Sequence, residues 1–193
     1  MLSAKMQGNN PLEAHITVCY SVYSFLSIAS HFERKDNMKT LILYATKHGA
    51  AAEIAKKIAD KIDGALIHDI KQPGVPSLAD FDCIIFGSSL YAGAIRKEAK
   101  AFLKHNADAL KAKKLGLFLS GMAANTNEGV FSTAFPENIL VGAHAAAFLG
   151  GIFDPAKAGF FERMIMKAVT KKSEYMSTID DEKITQFAES MLQ

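Results

Sequence analysis

The segment from Leu41 to Ile62 constrains the fold more than any other part of this chain of 193 residues. It begins with the apolar run Leu41–Tyr44, and after a short polar turn isoleucines recur at every fourth position, at Ile54, Ile58 and Ile62. The apolar run is typical of a strand buried on both faces of a parallel sheet, and the spacing of four is typical of a helix with one buried stripe. The sequence therefore predicts a strand that leads directly into a helix.

The polar turn between this strand and this helix carries groups that suit an anion. It consists of Thr46, Lys47, His48 and Gly49, which supply a hydroxyl, two basic side chains and a permissive backbone. The first N–H groups of a helix have no intrahelical partner and lie at the positive end of its dipole, so a phosphate is stabilised there. The same residues are equally compatible with an ordinary strand-to-helix connection. Only features elsewhere in the chain can distinguish a phosphate-binding turn from such a connection.

Strands and helices alternate from Met38 onward, which is typical of an α/β sheet covered by helices on both faces. The first helix is expected to end near Asp63 and Gly64, because glycine adopts the left-handed conformation of a helix cap. The further predicted strands are Ala65–Ile70, Phe81–Phe86, Leu115–Leu119 and Ala143–Leu149. The further predicted helices are Ile95–Lys114, a short one around Pro136–Leu140, Ala158–Lys171 and Asp180–Leu192.

Three of the predicted strands run into turns of small and polar residues. The first runs into the turn described above, the third into Gly87–Gly93, and the fourth into Ser120–Asn127. Ligands of open α/β sheets bind outside the carboxyl ends of the strands, near the point where the strand order reverses. We therefore expect the three turns to converge on one pocket.

Missing motifs and composition exclude several functions. The patterns GxGxxG, GxxxxGK[ST] and GxSxG are absent, which disfavours a dinucleotide site, a P-loop and a nucleophilic hydrolase. The first and third strands end in Ala45–Thr46 and Gly87–Ser88, without the acids of a phosphoryl-accepting receiver domain. The cysteines Cys19 and Cys83 lie far apart, which disfavours a disulfide framework or a zinc site. A formal charge of +2 gives no indication of a nucleic-acid partner.

The first 37 residues differ from the remainder. Ile16–Ala29 is apolar but interrupted by serines and a threonine, and it is short for a membrane span. One interpretation is a poor signal peptide or a weak anchor. The favoured one is an upstream extension with little fixed structure, residues 1–37, before a domain of residues 38–193 for which Met38 is the natural start.

The chain resembles a known family at these turns. ATKHGAAAEIA after the first strand, GSSLYAG after the third and SGMAAN after the fourth are similar to the three FMN-binding loops of the flavodoxins. MKTLIL, the turn with Gly49 before EIA, and FFERMIMKAV resemble more specifically the menaquinone-dependent protoporphyrinogen dehydrogenases of haem synthesis. The resemblance covers Met38 to the C terminus. It implies a flavodoxin-like, doubly wound, five-stranded parallel sheet in the order 2-1-3-4-5, with helices on both faces.

The resemblance also implies FMN as the cofactor. The first loop would surround its phosphate, the second would lie beside the isoalloxazine ring with Tyr91 as the stacking candidate, and the third would line the other side of the ring. Ala45 and Ala51 lack the hydroxyls common in flavodoxin loops, so the first loop would rely more on backbone donors and on Lys47 or His48. The implied FMN-binding residues are Thr46, Lys47, His48, Gly49, Ala50, Ala51, Ser88, Ser89, Leu90, Tyr91, Ala92, Gly93, Ser120, Gly121, Met122 and Ala123.

The function that the resemblance implies is that of a cytoplasmic FMN-dependent oxidoreductase that oxidises protoporphyrinogen or a similar reduced ring and passes electrons to a quinone. The alternatives are a flavodoxin that carries electrons between protein partners, and a scaffold that has lost the flavin. No side chain is predicted to be a general acid or base. The segment Ala158–Lys172 forms a basic amphipathic helix that could contact an anionic membrane, or could simply cover the sheet.

Overall fold

The computed structural model describes residues 38–91, 93–122, 129–160, 163–164 and 174–193. All of them belong to one unit, Met38–Gln193, and the predicted extension of residues 1–37 lies outside the described residues. The strands are β1 (Thr40–Ala45), β2 (Leu66–Asp69), β3 (Cys83–Tyr91), β4 (Ala94–Ile95), β5 (Lys114–Ser120), β6 (Ala145–Phe148), β7 (Ile152–Phe153) and β8 (Met176–Ser177). The helices are α1 (Ala50–Ala59), α2 (Lys97–His105), α3 (Ala107–Lys111), α4 (Gly129–Ala134), α5 (Glu137–Leu140) and α6 (Asp181–Leu192).

The central sheet has the strand order β2-β1-β3-β5-β6, and every pair in this row is parallel. This is the predicted order of the five predicted strands, so the predicted α/β architecture is confirmed. Because β1 lies between β2 and β3, the chain reverses its direction of travel across the sheet after β2. The carboxyl ends of β1 and β3 therefore meet at a topological switch point.

Helices cover both faces of this sheet because the side chains of each strand alternate between them. On β1, Leu41 and Leu43 point to the face covered by α2, α3, α4 and α5, while Ile42 points to the face covered by α1 and α6. Ile54 and Ile58, from the stripe that the sequence predicts, are completely buried on the second face. Burying each such side chain contributes about 1.5–3 kcal/mol to folding.

The prediction that the third strand ends at Phe86 is wrong, because β3 continues to Tyr91. The segment after Phe86 stays extended since it is paired throughout: Ser89 lies opposite Ser120 of β5, and Leu90 lies opposite Ile95 of the antiparallel strand β4. The predicted polar turn is therefore mostly the end of a strand. The reversal itself includes Gly93, whose φ is 77°.

The predicted helix Ile95–Lys114 is also wrong in detail, since it is divided into α2 and α3 at Asn106. The Phe102 carbonyl accepts both the Asn106 N–H at 3.0 Å and the Asn106 side-chain amide at 2.9 Å, so Asn106 caps the end of α2. The helix α1 ends at Ala59, and Gly64 beyond it has the expected left-handed conformation, with φ 69°.

Most of the predicted helix Ala158–Lys171 lies outside the described residues. Within the described part, Phe160 is 75% exposed and Met164 is 53% exposed. No helix among the described residues is long and apolar enough to cross a bilayer.

Candidate functional site

The loop between β1 and α1 is fixed by a hydrogen bond of its own. The Thr46 Oγ1 accepts the Gly49 N–H at 3.0 Å, and Gly49 has a φ of 99° just before the helix begins at Ala50. Gly49 has no side chain with which to cap α1, and the first N–H groups of a helix lack intrahelical partners, so an acceptor from outside the helix can bond them. The Lys71 Nζ, from the loop after β2, donates to the Thr46 carbonyl at 2.6 Å and holds the loop from outside.

The end of β3 forms the second side of the site. The Ser88 side chain is completely buried, and its hydroxyl accepts the Arg96 N–H at 3.2 Å, so it holds the hairpin rather than facing outward. The next hydroxyl, Ser89 Oγ, lies 3.4 Å from Thr46 Oγ1 and joins the first two loops. Tyr91 at the end of the strand is 45% exposed.

The end of β5 forms the third side. The Ser120 Oγ is buried and has no hydrogen-bond partner among the described residues. An unpartnered buried hydroxyl costs about 1–3 kcal/mol, so a hydrogen-bonding partner at this position would be favourable. The following Gly121 donates its N–H to the Gly150 carbonyl at 3.0 Å.

A fourth side comes from the segment after β6, which the sequence analysis did not include. A Cβ on Gly151 would lie 2.5 Å from the Gly121 carbonyl carbon, so the two backbones pass in direct contact. This contact, with the pairing of β7 to β8, brings Ile152, Phe153 and Asp154 to the pocket. The adjacent glycines Gly150 and Gly151 were the available sequence signal, because consecutive glycines after a strand often mark close backbone approach.

The four sides border a depression that is open to solvent, with about 670 Å³ of empty space when its opening is included. Most of its wall is apolar. It is lined by Lys47, His48, Ala50, Ser89, Leu90, Tyr91, Ser120, Gly121, Met122, Ile152, Phe153, Asp154 and Ala158.

All three predicted loops thus contribute to one pocket, but not through every predicted residue. Thr46 and Gly49 shape the first loop, whereas Gly93 lies in the β3–β4 turn. Ala51 is completely buried between α1 and the sheet, and Ser88 is buried under the hairpin, so neither side chain lines the pocket. Ala92 and Ala123 lie outside the described residues.

Charged side chains border the loop and the pocket. The Lys47 Nζ lies 4.5 Å from the centroid of the Tyr91 ring, which is a cation–π contact between the first and second loops. Beside the first loop, the Glu98 pKa lies below its ordinary value, first because of its own backbone hydrogen bond and then because of the Arg96 and Lys71 charges. Among the described residues, no group of three histidine, cysteine or acidic side chains could hold a metal ion.

Comparison with known proteins gives matches that cover most of the unit. A family model described as a flavodoxin domain matches residues 41–180. The curated relative "Protoporphyrinogen IX dehydrogenase [quinone]" of Escherichia coli strain K12 is 24% identical over 149 residues, which are 70% of this chain and 81% of that protein.

Two solved structures are similar to this chain, and the first of them shares the fold. A short-chain flavodoxin associated with a PDU bacterial microcompartment superposes with a TM-score of 0.50 and 21% identity, over 80% of this chain and 97% of that one. A flavoprotein from Lactobacillus acidophilus NCFM, solved in complex with FMN, has a TM-score of 0.45 and 19% identity, over 59% of this chain and 91% of that one.

Proposed function

Because this chain belongs to the flavodoxin domain family, we propose that it binds FMN in the pocket at the carboxyl ends of β1, β3 and β5 and acts as an FMN-dependent oxidoreductase. The observation that carries this proposal is the convergence of the three predicted loops on one mostly apolar pocket. The proposed substrate is protoporphyrinogen or a similar reduced ring, and the proposed electron acceptor is a quinone, as the name of the E. coli relative indicates for that protein.

The residues present fit this cofactor. Phosphate oxygens can accept hydrogen bonds from the first N–H groups of α1 near Ala50, where the N-cap residue Gly49 offers no capping side chain. The Ser120 hydroxyl, which has no partner among the described residues, can bond a polar edge of the ring. Leu90, Tyr91 and Met122 supply the apolar and aromatic wall that a flat ring requires.

When bound, FMN would supply the capacity to accept a hydride or single electrons. The chain's own contribution is to bind and orient the cofactor. The Thr46–Gly49 hydrogen bond fixes the conformation of the β1–α1 loop before the phosphate binds. Ile152 and Phe153 cover one side of the pocket and would exclude water from it. A neighbouring groove shares His48, Ile152 and Asp154 with this pocket. This groove, which runs along α1, is the candidate place for a second reactant.

The alternative proposal is a flavodoxin that carries electrons between proteins. The half-exposed Tyr91 at the edge of the pocket favours it, because a protein partner could approach the cofactor there. A flavin-free scaffold is the third possibility raised by the sequence. The contact of Ala158–Lys172 with a membrane stays a proposal, supported by the exposure of Phe160 and Met164 within that segment.

The first experiment is an absorption spectrum of the purified protein with added FMN, since bound flavin is yellow. Gly49→Val should abolish binding because a β-branched residue is strained at a φ of 99°. Gly74→Val is the matched control, because Gly74 also has a positive φ and open space around it but lies outside the pocket. A wild-type protein that binds no FMN contradicts the proposal and favours the scaffold.

The second experiment separates enzyme from carrier. The FMN-loaded protein is mixed without oxygen with protoporphyrinogen and a menaquinone analogue, and porphyrin fluorescence is followed. Turnover supports the proposed enzyme. Flavin binding without turnover, together with electron exchange with a redox protein, supports the carrier.

A further inference from the structure

The side chains of Lys47 and Tyr91 meet across the mouth of the pocket. Lys47 belongs to the loop after β1, and Tyr91 ends β3, yet the ammonium lies 4.5 Å from the ring centroid. Both residues line the pocket. A cation within about 6 Å of a ring face is attracted by the ring's quadrupole, so Tyr91 holds the ammonium at the exposed edge of the pocket.

Among the described lining residues of the pocket, the acidic one is Asp154, and its carboxylate is directed to its own loop. The Asp154 Oδ1 accepts the Ala156 N–H at 2.9 Å, and the Asp154 Oδ2 lies 3.5 Å from the Lys157 Nζ. Lys157 is not part of the pocket lining, so it compensates the Asp154 charge from outside.

We infer that Lys47, positioned by the cation–π contact with Tyr91, raises the reduction potential of the bound flavin by stabilising its reduced, anionic form. This inference rests on the proposed binding of FMN in the pocket. Two electrons and one proton convert the neutral flavin ring into an anion, so a nearby ammonium favours the reduced form over the oxidised one. Tyr91 is a positioning residue in this scheme, because it acts through Lys47.

Lys47 is exposed and Tyr91 is 45% exposed, so water and salt screen the ammonium in part, and the shift of the potential should be larger at low ionic strength. The shift of the potential is proportional to the logarithm of the ratio of the affinities for reduced and oxidised flavin, and a tenfold ratio corresponds to about 30 mV for a two-electron couple. A higher potential makes the flavin a better acceptor of electrons from a reduced ring, which suits the proposed enzyme.

The test compares variants of the FMN-loaded protein without any substrate. Lys47→Met and Lys47→Gln remove the charge with side chains of different shape, whereas Lys47→Arg keeps it. Tyr91→Leu keeps the charge but removes the ring that positions it. Lys61→Met is the matched control, because Lys61 is an exposed lysine beyond the end of α1 and outside the pocket lining.

Two quantities are measured on each variant: the dissociation constant of oxidised FMN from fluorescence quenching, and the midpoint potential from an anaerobic spectroelectrochemical titration. We expect both neutral variants to lose about tenfold in the affinity for reduced relative to oxidised flavin, which lowers the potential by about 30 mV. Lys47→Arg should restore most of the potential, Tyr91→Leu should give an intermediate value, and Lys61→Met should match the wild type.

The inference is overturned if Lys47→Met and Lys47→Gln bind FMN but keep the wild-type potential, or if Lys61→Met lowers the potential as much. These results would leave the proposed function intact. If the wild-type protein and all variants bind no FMN, the proposed function itself fails, and this inference is overturned with it.

Discussion

Gly151 and Gly121 pass each other in direct backbone contact, so close that a Cβ on Gly151 would lie within 2.5 Å of the Gly121 carbonyl oxygen. This contact joins the segment after β6 to the end of β5. It therefore decides whether Ile152 and Phe153 can form the fourth wall of the pocket.

Gly151→Ala should separate these two backbones. We expect a loss of about 1–3 kcal/mol of unfolding free energy from overpacking, together with weaker FMN binding as the fourth wall moves. Urea denaturation and FMN fluorescence titration measure the two effects. Gly142→Ala is the control, since the nearest atoms to its added Cβ would lie at 3.8 Å. Equal effects of the two substitutions would show that the contact has no special role.

Ser120→Ala should change stability and affinity in opposite directions. Its hydroxyl is buried without a partner in the described part of the chain, so removing it should stabilise the flavin-free protein by about 1 kcal/mol. The same substitution removes a proposed bond to FMN and should weaken binding about threefold to tenfold. Thermal unfolding without flavin measures the expected gain in stability. Titration with FMN measures the expected loss of affinity. An unchanged affinity would exclude Ser120 as an FMN contact.

Lys71→Met removes the ammonium that donates a hydrogen bond to the Thr46 carbonyl, with 2.6 Å between Nζ and the oxygen. Because this bond holds the β1–α1 loop from outside, we expect about a threefold weaker affinity for FMN and little change in stability. Isothermal titration at low and high salt measures the affinity. Lys71→Arg should retain most of it. A variant with normal affinity would mean that Gly49 and Thr46 suffice to fix the loop.

Asp180→Ala should lower stability in a pH-dependent way. Asp180 caps α6 by accepting the Lys183 N–H at 3.0 Å, and this hydrogen bond lowers the Asp180 pKa from its ordinary value of 3.8. A lowered carboxylate pKa stabilises the fold above the unfolded-state pKa, and that stabilisation is lost as the pH falls through the folded-state pKa.

The melting temperatures of the wild type and of Asp180→Ala should therefore differ clearly at about pH 7 and converge toward about pH 3. Asp63→Ala removes an exposed carboxylate from the turn after α1 and serves as the control. A difference that stays constant across this pH range would show that the ionised carboxylate is not the source of the stabilisation.

The order of strands and helices and the places where strands end in small polar residues could be predicted from the sequence. These features follow from local patterns: the four-residue spacing of Ile54 and Ile58 determines a buried helix face, and the apolar run Leu41–Tyr44 determines a buried strand. The convergence of three loops on one pocket could also be predicted from the sequence, because parallel strands place all their carboxyl ends at one edge of the sheet.

Local patterns could not reveal which residues of each loop face the pocket. The strand continues past Phe86 because Ser89 and Leu90 find partners on β5 and β4, and such pairing depends on neighbours that are distant in the chain. For the same reason Ser88 faces the hairpin while Ser89 faces the site.

The sequence by itself determined the layered α/β architecture and the edge of the sheet at which a ligand can bind, because the periodicity of apolar residues and the choice of turn residues act over a few positions. Only the tertiary structure decided that Gly151 contacts Gly121 and that Lys47 meets Tyr91. Both contacts join segments that are far apart in the chain. They form only after the sheet has brought those segments together, and no local pattern encodes their distances.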